Sequence, residues 1–144
     1  MALNEKNLKE YIQNSKTIVL ATVDENDNPN LRTLGGYNFK NYTLYFGTSN
    51  KSNKVNQIEK NNNVSVLIQH ENQTIPNFVN VTIYGKAQKV QGDEYLEAAD
   101  IIRKRRPNLT FQENEKSIFK VEANKIKILD FSEEPENQIK IIEF

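Results

Sequence analysis

Six strand-like segments follow one another along this chain, and the short connections between most of them constrain the fold more than any other feature. Neighbouring parallel strands need crossover connections of roughly a dozen residues or more, usually helices. Short connections instead favour strands that run antiparallel. The sequence therefore predicts a mainly β fold, a six-stranded antiparallel barrel with a few peripheral helices, formed by one domain over residues 1–144.

The strand segments combine β-branched and apolar residues, and turn-forming residues separate several of them. The glycines Gly35 and Gly36 fall inside the second segment, where they indicate a bulge or another group lying close to the backbone. The last segment is predicted to break or turn near Asn124. The six segments are residues 17–24, 30–39, 43–48, 63–70, 78–90 and 117–131.

Apolar residues at helical spacing predict three helices outside the barrel. Asp93 is predicted to cap the third helix, and Pro107 is predicted to end it. The tail, residues 132–144, is first acidic and then apolar, so it either docks as a short edge strand or reaches a partner. The predicted helices are residues 3–14, 53–60 and 94–106.

Composition excludes several classes of function. The 19 basic and 19 acidic residues give a formal net charge of zero, which argues against an electrostatic nucleic-acid binder. The absence of cysteine excludes disulfides, a thiol nucleophile and thiolate metal sites, and the acidic residues show no metal-loop spacing. There is no apolar signal core at the N-terminus, and no apolar run approaches the roughly 20 residues of a spanning helix. We therefore expect a cytoplasmic protein that binds no metal, membrane or nucleic acid.

The stretch LYFGTSNKSNKV, residues 44–55, places hydroxyls and lysines where a strand gives way to a helix. A helix N-terminus has unpaired N–H groups and a partial positive charge, so with hydroxyls and a lysine it can hold a phosphate. Ser52 occupies the N-cap position, and Lys54 lies in the first turn, where a cation is unfavourable unless an anion compensates it. Alternatively, Ser52 only caps the helix while Lys51 and Lys54 are solvated, which is the commoner arrangement.

Arg32 lies in the middle of the second strand segment, on the same face as Leu34. An arginine at this position either faces solvent or points at a ligand, and its planar guanidinium suits two-pronged contact with a phosphate. From the residues alone, the two interpretations have equal weight.

The order of these motifs resembles the pyridoxamine 5'-phosphate oxidase-like family of FMN-binding split barrels. The motifs are IVLATVDENDNPNLRTL, LYFGTSNKSNKV and FVNVTIYGKAQKV, and the last segment, SIFKVEANKIKILDFS, is similar to the family's last barrel strand. The resemblance implies a six-stranded split barrel and a homodimer, with FMN in a cleft at the interface. It also implies that the FMN phosphate is held by Arg32, Thr48, Ser52 and Lys54.

The resemblance implies further contacts with FMN. Ser49 would add a phosphate contact, and Asn80 stands where many members place a glutamine that reaches the flavin ring. The backbone that follows Arg32 would pass along the isoalloxazine ring, which gives the two glycines a reason to lack side chains. The residues of this segment assigned to the cofactor are Thr33, Leu34 and Gly35, within residues 32–37.

Two differences from the family matter, and the second points to one of its branches. Asn53 stands where the family has a phosphate-binding arginine, so one charge-assisted contact is missing. The chain also has no tryptophan, and no arginine after the last barrel strand, whereas the true oxidases use such residues in a C-terminal substrate-binding segment. The chain therefore resembles the short general stress proteins and nitroimidazole-reductase-like proteins. That resemblance implies an FMN-dependent oxidoreductase, without a protein nucleophile or general base. It would pass electrons from a nicotinamide nucleotide to a small-molecule acceptor, whose site would be lined by Tyr37, Gln69 or residues of the other subunit.

Other interpretations stay open at this point. A non-catalytic flavin carrier or redox sensor would use the same FMN site. A nucleic-acid barrel would use Tyr37, Tyr42 and Tyr45 as stacking platforms, but the neutral net charge argues against it. His70, the one histidine, would face the flavin cleft or bind haem iron, although a hydrogen-bonded structural role is commoner. The run RKRR, residues 103–106, closes a helix where cations are favourable, so we prefer a solvated role to nucleic-acid binding.

Overall fold

One antiparallel sheet forms most of the computed structural model, which describes residues 2–144. The expected mainly β, antiparallel fold with peripheral helices is confirmed. Over these residues, the three α-helices are α1 (Leu8–Gln13), α2 (Asn53–Lys60) and α3 (Asp93–Arg105), and a 3₁₀ turn spans Pro135–Asn137. The eight strands of the same residues are β1 (Ile18–Val23), β2 (Pro29–Leu34), β3 (Tyr37–Lys40), β4 (Thr43–Ser49), β5 (Asn63–Ile68), β6 (Val79–Lys89), β7 (Lys116–Asp130) and β8 (Ile139–Glu143).

The two edges of this sheet are brought together by a two-residue link. The strand order is β2-β1-β5-β6-β7-β4-β3, and β8 pairs with the part of β7 that lies beyond β4. β2 and β3 lie at opposite ends of this order, yet only Gly35 and Gly36 separate them in sequence. Such a link spans at most about 11 Å. The sheet must therefore curl until these two edges come near each other, in the manner of a half-barrel, and the predicted split-barrel type is consistent with this curl.

The predicted number of six strands was wrong, for two reasons. The segment predicted as one strand over residues 30–39 forms both β2 and β3, because β2 pairs with β1 whereas β3 pairs with β4. In addition, the tail docks on β7 as the edge strand β8, which is one of the two outcomes expected for it.

The predicted break in the last strand is a bulge instead. Gly85 of β6 pairs with Ala123, whereas the residue before it pairs with Lys125. Asn124 is therefore an extra residue in β7, which continues through it. A Cβ on Gly85 would lie 2.5 Å from the carbonyl oxygen of Glu122, so only glycine fits this close approach of the two strands.

The inner face of the curled sheet holds the main apolar core. α2 closes part of this core with Val55 and Ile58, which are buried. A second, smaller cluster lies under α3 and includes Tyr95 and Ile102. The packing of α2 holds its first turns beside β1 and β2, and α2 hydrogen-bonds to both strands there. This is where the predicted phosphate site lies.

The helix bounds differ from prediction at several ends. α2 covers the predicted residues, whereas α1 is shorter than predicted. Asp93 was wrongly predicted as a cap: it is the first residue of α3, and Gly92, with a φ of 62°, occupies the cap position without a side-chain bond. α3 ends at Arg105, before Pro107. Within residues 2–144, no helix has both the length and the apolar character needed to cross a membrane.

Candidate functional site

The corner between β4 and α2 has the local structure that the sequence predicts. Ser52 has extended backbone angles and its Oγ accepts the N–H of Lys54 at 3.3 Å, so Ser52 caps α2. Alternation along β4 buries Thr48 on the same side as Leu44 and Phe46. The hydroxyls of Thr48 and Ser52 therefore lie close to the first turn of the helix, and both accept hydrogen bonds from the Lys54 side chain.

The side chain of Lys54 bends back over this first turn. Its Nζ donates to Thr48 Oγ1 and to Ser52 Oγ, both at 2.7 Å. Since an ammonium group has three N–H donors, one donor is left for a ligand. Lys54 forms no ion pair with any carboxylate in residues 2–144.

Arg32 reaches the same place from β2. It lies on the inner face of the sheet, paired with Leu20 of β1, and its Nη1 donates to Thr22 Oγ1 at 2.5 Å. Its Nη2 donates to Gln57 Oε1 at 3.0 Å. Gln57 follows Lys54 by about one turn of α2, so the helix brings Lys54 and Arg32 to one location.

These two cations share one environment, and neither has an acidic partner in residues 2–144. Burial lowers the pKa of Lys54, and the positive charge of Arg32 lowers that pKa further. Burial also lowers the pKa of Arg32. A bound anion would offset both effects, since it favours the charged forms. Two cations, two hydroxyls and a helix N-terminus together fit a phosphate group.

The other residues of β2 and β4 that were assigned to the cofactor by resemblance lie in different environments. Ser49 is exposed, on the opposite side of β4 from Thr48, and its Oγ accepts the N–H of Lys51 at 3.3 Å. Thr33 is exposed on the outer face of β2, and Leu34 is buried in the core. The structure therefore does not bring the Ser49 hydroxyl to the phosphate site, whereas the backbone role predicted for Thr33 and Leu34 stays a prediction.

Asn80 lies on the outer face of the sheet, whereas Arg32 lies on the inner face. β1 and β5 stand between their strands, and the Asn80 amide donates to Gln69 Oε1 at 3.2 Å. Within one chain, the structure does not bring Asn80 to the corner.

Sequence reasoning missed Gln57 and Thr22, which hold the side chain of Arg32. The Thr22 hydroxyl donates to Gln57 Oε1 at 2.6 Å, so this amide oxygen binds both Thr22 and Arg32. Two signals for them were present in the sequence. Gln57 follows Lys54 by three residues, which places both on one helix face, and Thr22 is a polar residue at an inward position of an apolar strand.

The basic run of residues 103–106 divides into two pairs. Arg103 and Lys104 are exposed, but a solvated role was the wrong prediction for Arg105 and Arg106, which are partly buried. The Arg105 guanidinium lies 3.8 Å from the centroid of the Tyr37 ring. Both arginines donate to backbone carbonyl groups distant in sequence: those of Gln13, Ser15, Lys16, Gly35 and Tyr37 for Arg105, and those of Lys16 and Gly35 for Arg106.

Two aromatic residues considered as ligand contacts have structural roles. Tyr37 is fully buried, and its single O–H lies within hydrogen-bonding distance of two carbonyl oxygens, that of Ser15 at 2.6 Å and that of Ile12 at 2.8 Å. The predictions that Tyr37 lines an acceptor site or stacks on bases were therefore wrong. The His70 ring stacks on Tyr11 with 3.8 Å between centroids, and its Nε2 lies 2.7 Å from the Tyr11 carbonyl oxygen. The hydrogen-bonded role expected for His70 is confirmed.

Solved structures of other proteins share this fold. General Stress Protein 26 from Bacillus anthracis str. Sterne aligns with a TM-score of 0.71 at 19% identity, over 96% of this chain and 97% of that one. A NimC/NimA family protein from Clostridium acetobutylicum gives 0.73 at 16% identity, over 96% and 91%. A heme binding protein from Mycobacterium smegmatis gives 0.74 at 14% identity, over 99% of this chain but 59% of that one. At these identities the likeness shows the fold alone.

Sequence comparison gives the family. No curated protein sequence matches the chain significantly. The family model described as pyridoxamine 5'-phosphate oxidase matches residues 5–130, which is most of the chain and includes the whole corner between β4 and α2. The protein therefore belongs to the pyridoxamine 5'-phosphate oxidase family.

Proposed function

We propose that this protein binds FMN at the corner between β4 and α2 and acts as an FMN-dependent oxidoreductase. The observation that carries the proposal is that Lys54 and Arg32 lie near each other. Both are partly buried cations, and neither has a carboxylate partner in residues 2–144. They lie beside the hydroxyls of Thr48 and Ser52. Such a donor set matches a phosphate monoester, whose oxygens accept several charge-assisted hydrogen bonds.

In this proposal the chain supplies binding and orientation, and the cofactor supplies the redox chemistry. A flavin bound here would supply hydride-transfer chemistry between a nicotinamide nucleotide and a small-molecule acceptor. Lys54 and Arg32 would hold its phosphate, and the backbone at Gly35 would lie beside its ring. No side chain is assigned as a nucleophile or general base.

We also propose that a second copy of the chain completes the cofactor cleft. The outer face of the sheet carries apolar side chains in water: Leu31, Ile139 and Ile141 are 72%, 54% and 52% exposed. Burying such a surface between two copies is favourable. Asn80 lies on this face, so in a homodimer it would approach the FMN held by the partner copy. We propose that this dimer is cytoplasmic, as the sequence predicts.

Replacing Lys54 by alanine should weaken FMN binding about 10- to 100-fold, because it removes a charge-assisted hydrogen bond of roughly 1.5–3 kcal/mol. Melting without ligand should stay near the wild-type temperature, since the substitution also removes an unfavourable cation from the first helical turn. Titration with FMN gives the dissociation constants. The matched control is Lys51→Ala, which removes the same charge from an exposed residue of the corner. Equal losses of affinity in the two variants would contradict a phosphate site at Lys54.

FMN affinity should also fall as the pH rises. The pKa of Lys54 is lowered by burial and by Arg32, and only the protonated ammonium attracts phosphate. Affinity is therefore full below this pKa and is lost as the pH rises through it. The Lys54→Arg variant should keep its affinity over the same range, because a guanidinium is not deprotonated there. Dissociation constants from neutral to alkaline pH test this, and parallel curves for the two proteins would count against Lys54.

The alternative at the same site is a non-catalytic flavin carrier or redox sensor. Protein with bound FMN that oxidises a nicotinamide nucleotide only when an acceptor is present would support the enzyme. Bound FMN without turnover would support the carrier or sensor. Haem binding, named for one structural neighbour, lacks similar support here, because the one histidine, His70, is stacked and hydrogen-bonded to Tyr11.

A further inference from the structure

The peptide group between Gly35 and Gly36 is held by two guanidinium groups, those of the last residue of α3, Arg105, and of Arg106, which follows it. Arg105 Nη1 donates to the Gly35 carbonyl oxygen at 3.0 Å, and Arg106 Nε donates to the same oxygen at 3.1 Å. The same oxygen also accepts the backbone N–H of Tyr37 at 3.2 Å, so three donors share it and two of them are cationic. The link that joins the two edges of the sheet is thus oriented by residues about 70 positions away.

Neither arginine is neutralised by a carboxylate in residues 2–144. Within residues 103–106, Arg103 forms an ion pair, with Asp100 at 2.5 Å. Arg105 and Arg106 bind backbone carbonyl oxygens instead. Two positive charges therefore lie beside one peptide group, partly shielded from water, where charges act more strongly than in bulk solvent.

The opposite end of this peptide group is free. In a trans peptide the C=O and N–H bonds point in opposite directions, so the N–H of Gly36 points away from both arginines. It donates to no acceptor in residues 2–144, although Gly36 is only partly exposed. Hydrogen bonds polarise one another, so two cationic donors on the carbonyl strengthen the N–H as a donor. The link therefore presents an activated, unused N–H on the side remote from α3.

We propose that Arg105 and Arg106 are positioning residues of the cofactor cleft, which orient the Gly35–Gly36 peptide toward the flavin ring and raise the reduction potential of bound FMN. This rests on the proposed function, because it needs FMN with its ring beside Gly35. Reduction makes the ring more electron-rich, so a donor polarised by two cations binds the reduced cofactor more strongly than the oxidised one. The contacts that dock α3 thus also tune the redox site.

The test is the midpoint potential of FMN bound to the Arg106→Gln variant, whose side chain is neutral. Arg106 is chosen because it makes fewer backbone contacts than Arg105. We expect binding of reduced relative to oxidised FMN to weaken about tenfold, a fall of ~30 mV for a two-electron couple. The control Arg103→Gln removes the same charge from an exposed position in the last turn of α3 and should keep the wild-type potential.

A merely structural role for Arg106 would lower the melting temperature without moving the potential. A potential equal to that of wild-type, or lowered only as much as in Arg103→Gln, overturns this inference and leaves the proposed function intact. Failure of wild-type protein to bind FMN overturns both. If Arg106→Gln does not fold, Arg106→Lys takes its place: it keeps the charge but loses the paired contacts to Gly35 and Lys16. A smaller fall in potential is then expected, and no fall overturns the inference.

Discussion

The Arg105→Ala variant is expected to unfold with a free energy about 3 kcal/mol or more below that of the wild-type protein. Arg105 stacks on Tyr37 and donates to carbonyl groups at the end of α1, in the glycine link and at the start of β3. Truncation leaves these oxygens without their charged donor, and each such bond contributes roughly 1.5–3 kcal/mol, partly offset by water. For a domain of this size, the melting temperature should fall by roughly 10 °C.

Arg103→Ala is the control for this effect. Arg103 lies two residues away on the same helix, carries the same charge and pairs with the exposed carboxylate of Asp100. Its loss should change the free energy of unfolding by no more than about 0.5 kcal/mol. Urea and thermal unfolding of both variants measure the difference. Similar midpoints for the two would mean that the carbonyl contacts of Arg105 add no stability.

Replacing Arg32 and Lys54 together by alanine should weaken FMN binding by about 10²–10⁴-fold. Each residue supplies a charged donor worth roughly 1.5–3 kcal/mol to the same phosphate, and two groups on one ligand need not contribute additively. The fold should tolerate the change, because Thr22 still donates to Gln57 at 2.6 Å when Arg32 is absent. Titrations of the single and double variants with FMN give both the loss and its coupling.

The double variant Lys51→Ala/Lys60→Ala makes the same change in net charge near the corner. Both residues are exposed, and Lys60 pairs with the exposed Glu25. Its affinity for FMN should stay within about threefold of wild-type, since screened surface charges contribute little. Retention of wild-type affinity by the Arg32/Lys54 double variant would place the phosphate elsewhere.

The features that could be predicted from the sequence are those whose causes lie close together in the chain. Ser52 stands at the start of an apolar helical pattern, and both α2 and its cap are as predicted. The alternation that places Arg32 inward with Leu34 is also local, because it follows from the period of a strand. The cap of α2 and the inward position of Arg32 could therefore be predicted without knowledge of any tertiary contact.

The features that could not be predicted depend on distant partners. Residues 30–39 look like one strand, but β2 and β3 pair at opposite edges of the sheet, and the chain must turn at Gly35. Arg105 looks like an ordinary cation at a helix end until α3 docks against α1, about 90 residues away. Asn80 was grouped with the corner by resemblance, whereas the topology places it on the outer face.

The most direct test of the phosphate site compares FMN with riboflavin, which has the same ring but no phosphate, in titrations of purified, flavin-free protein. If Lys54 and Arg32 hold the phosphate, FMN should bind at least about 100-fold more tightly than riboflavin. Equal dissociation constants for the two flavins, or no binding of FMN at all, would contradict the account.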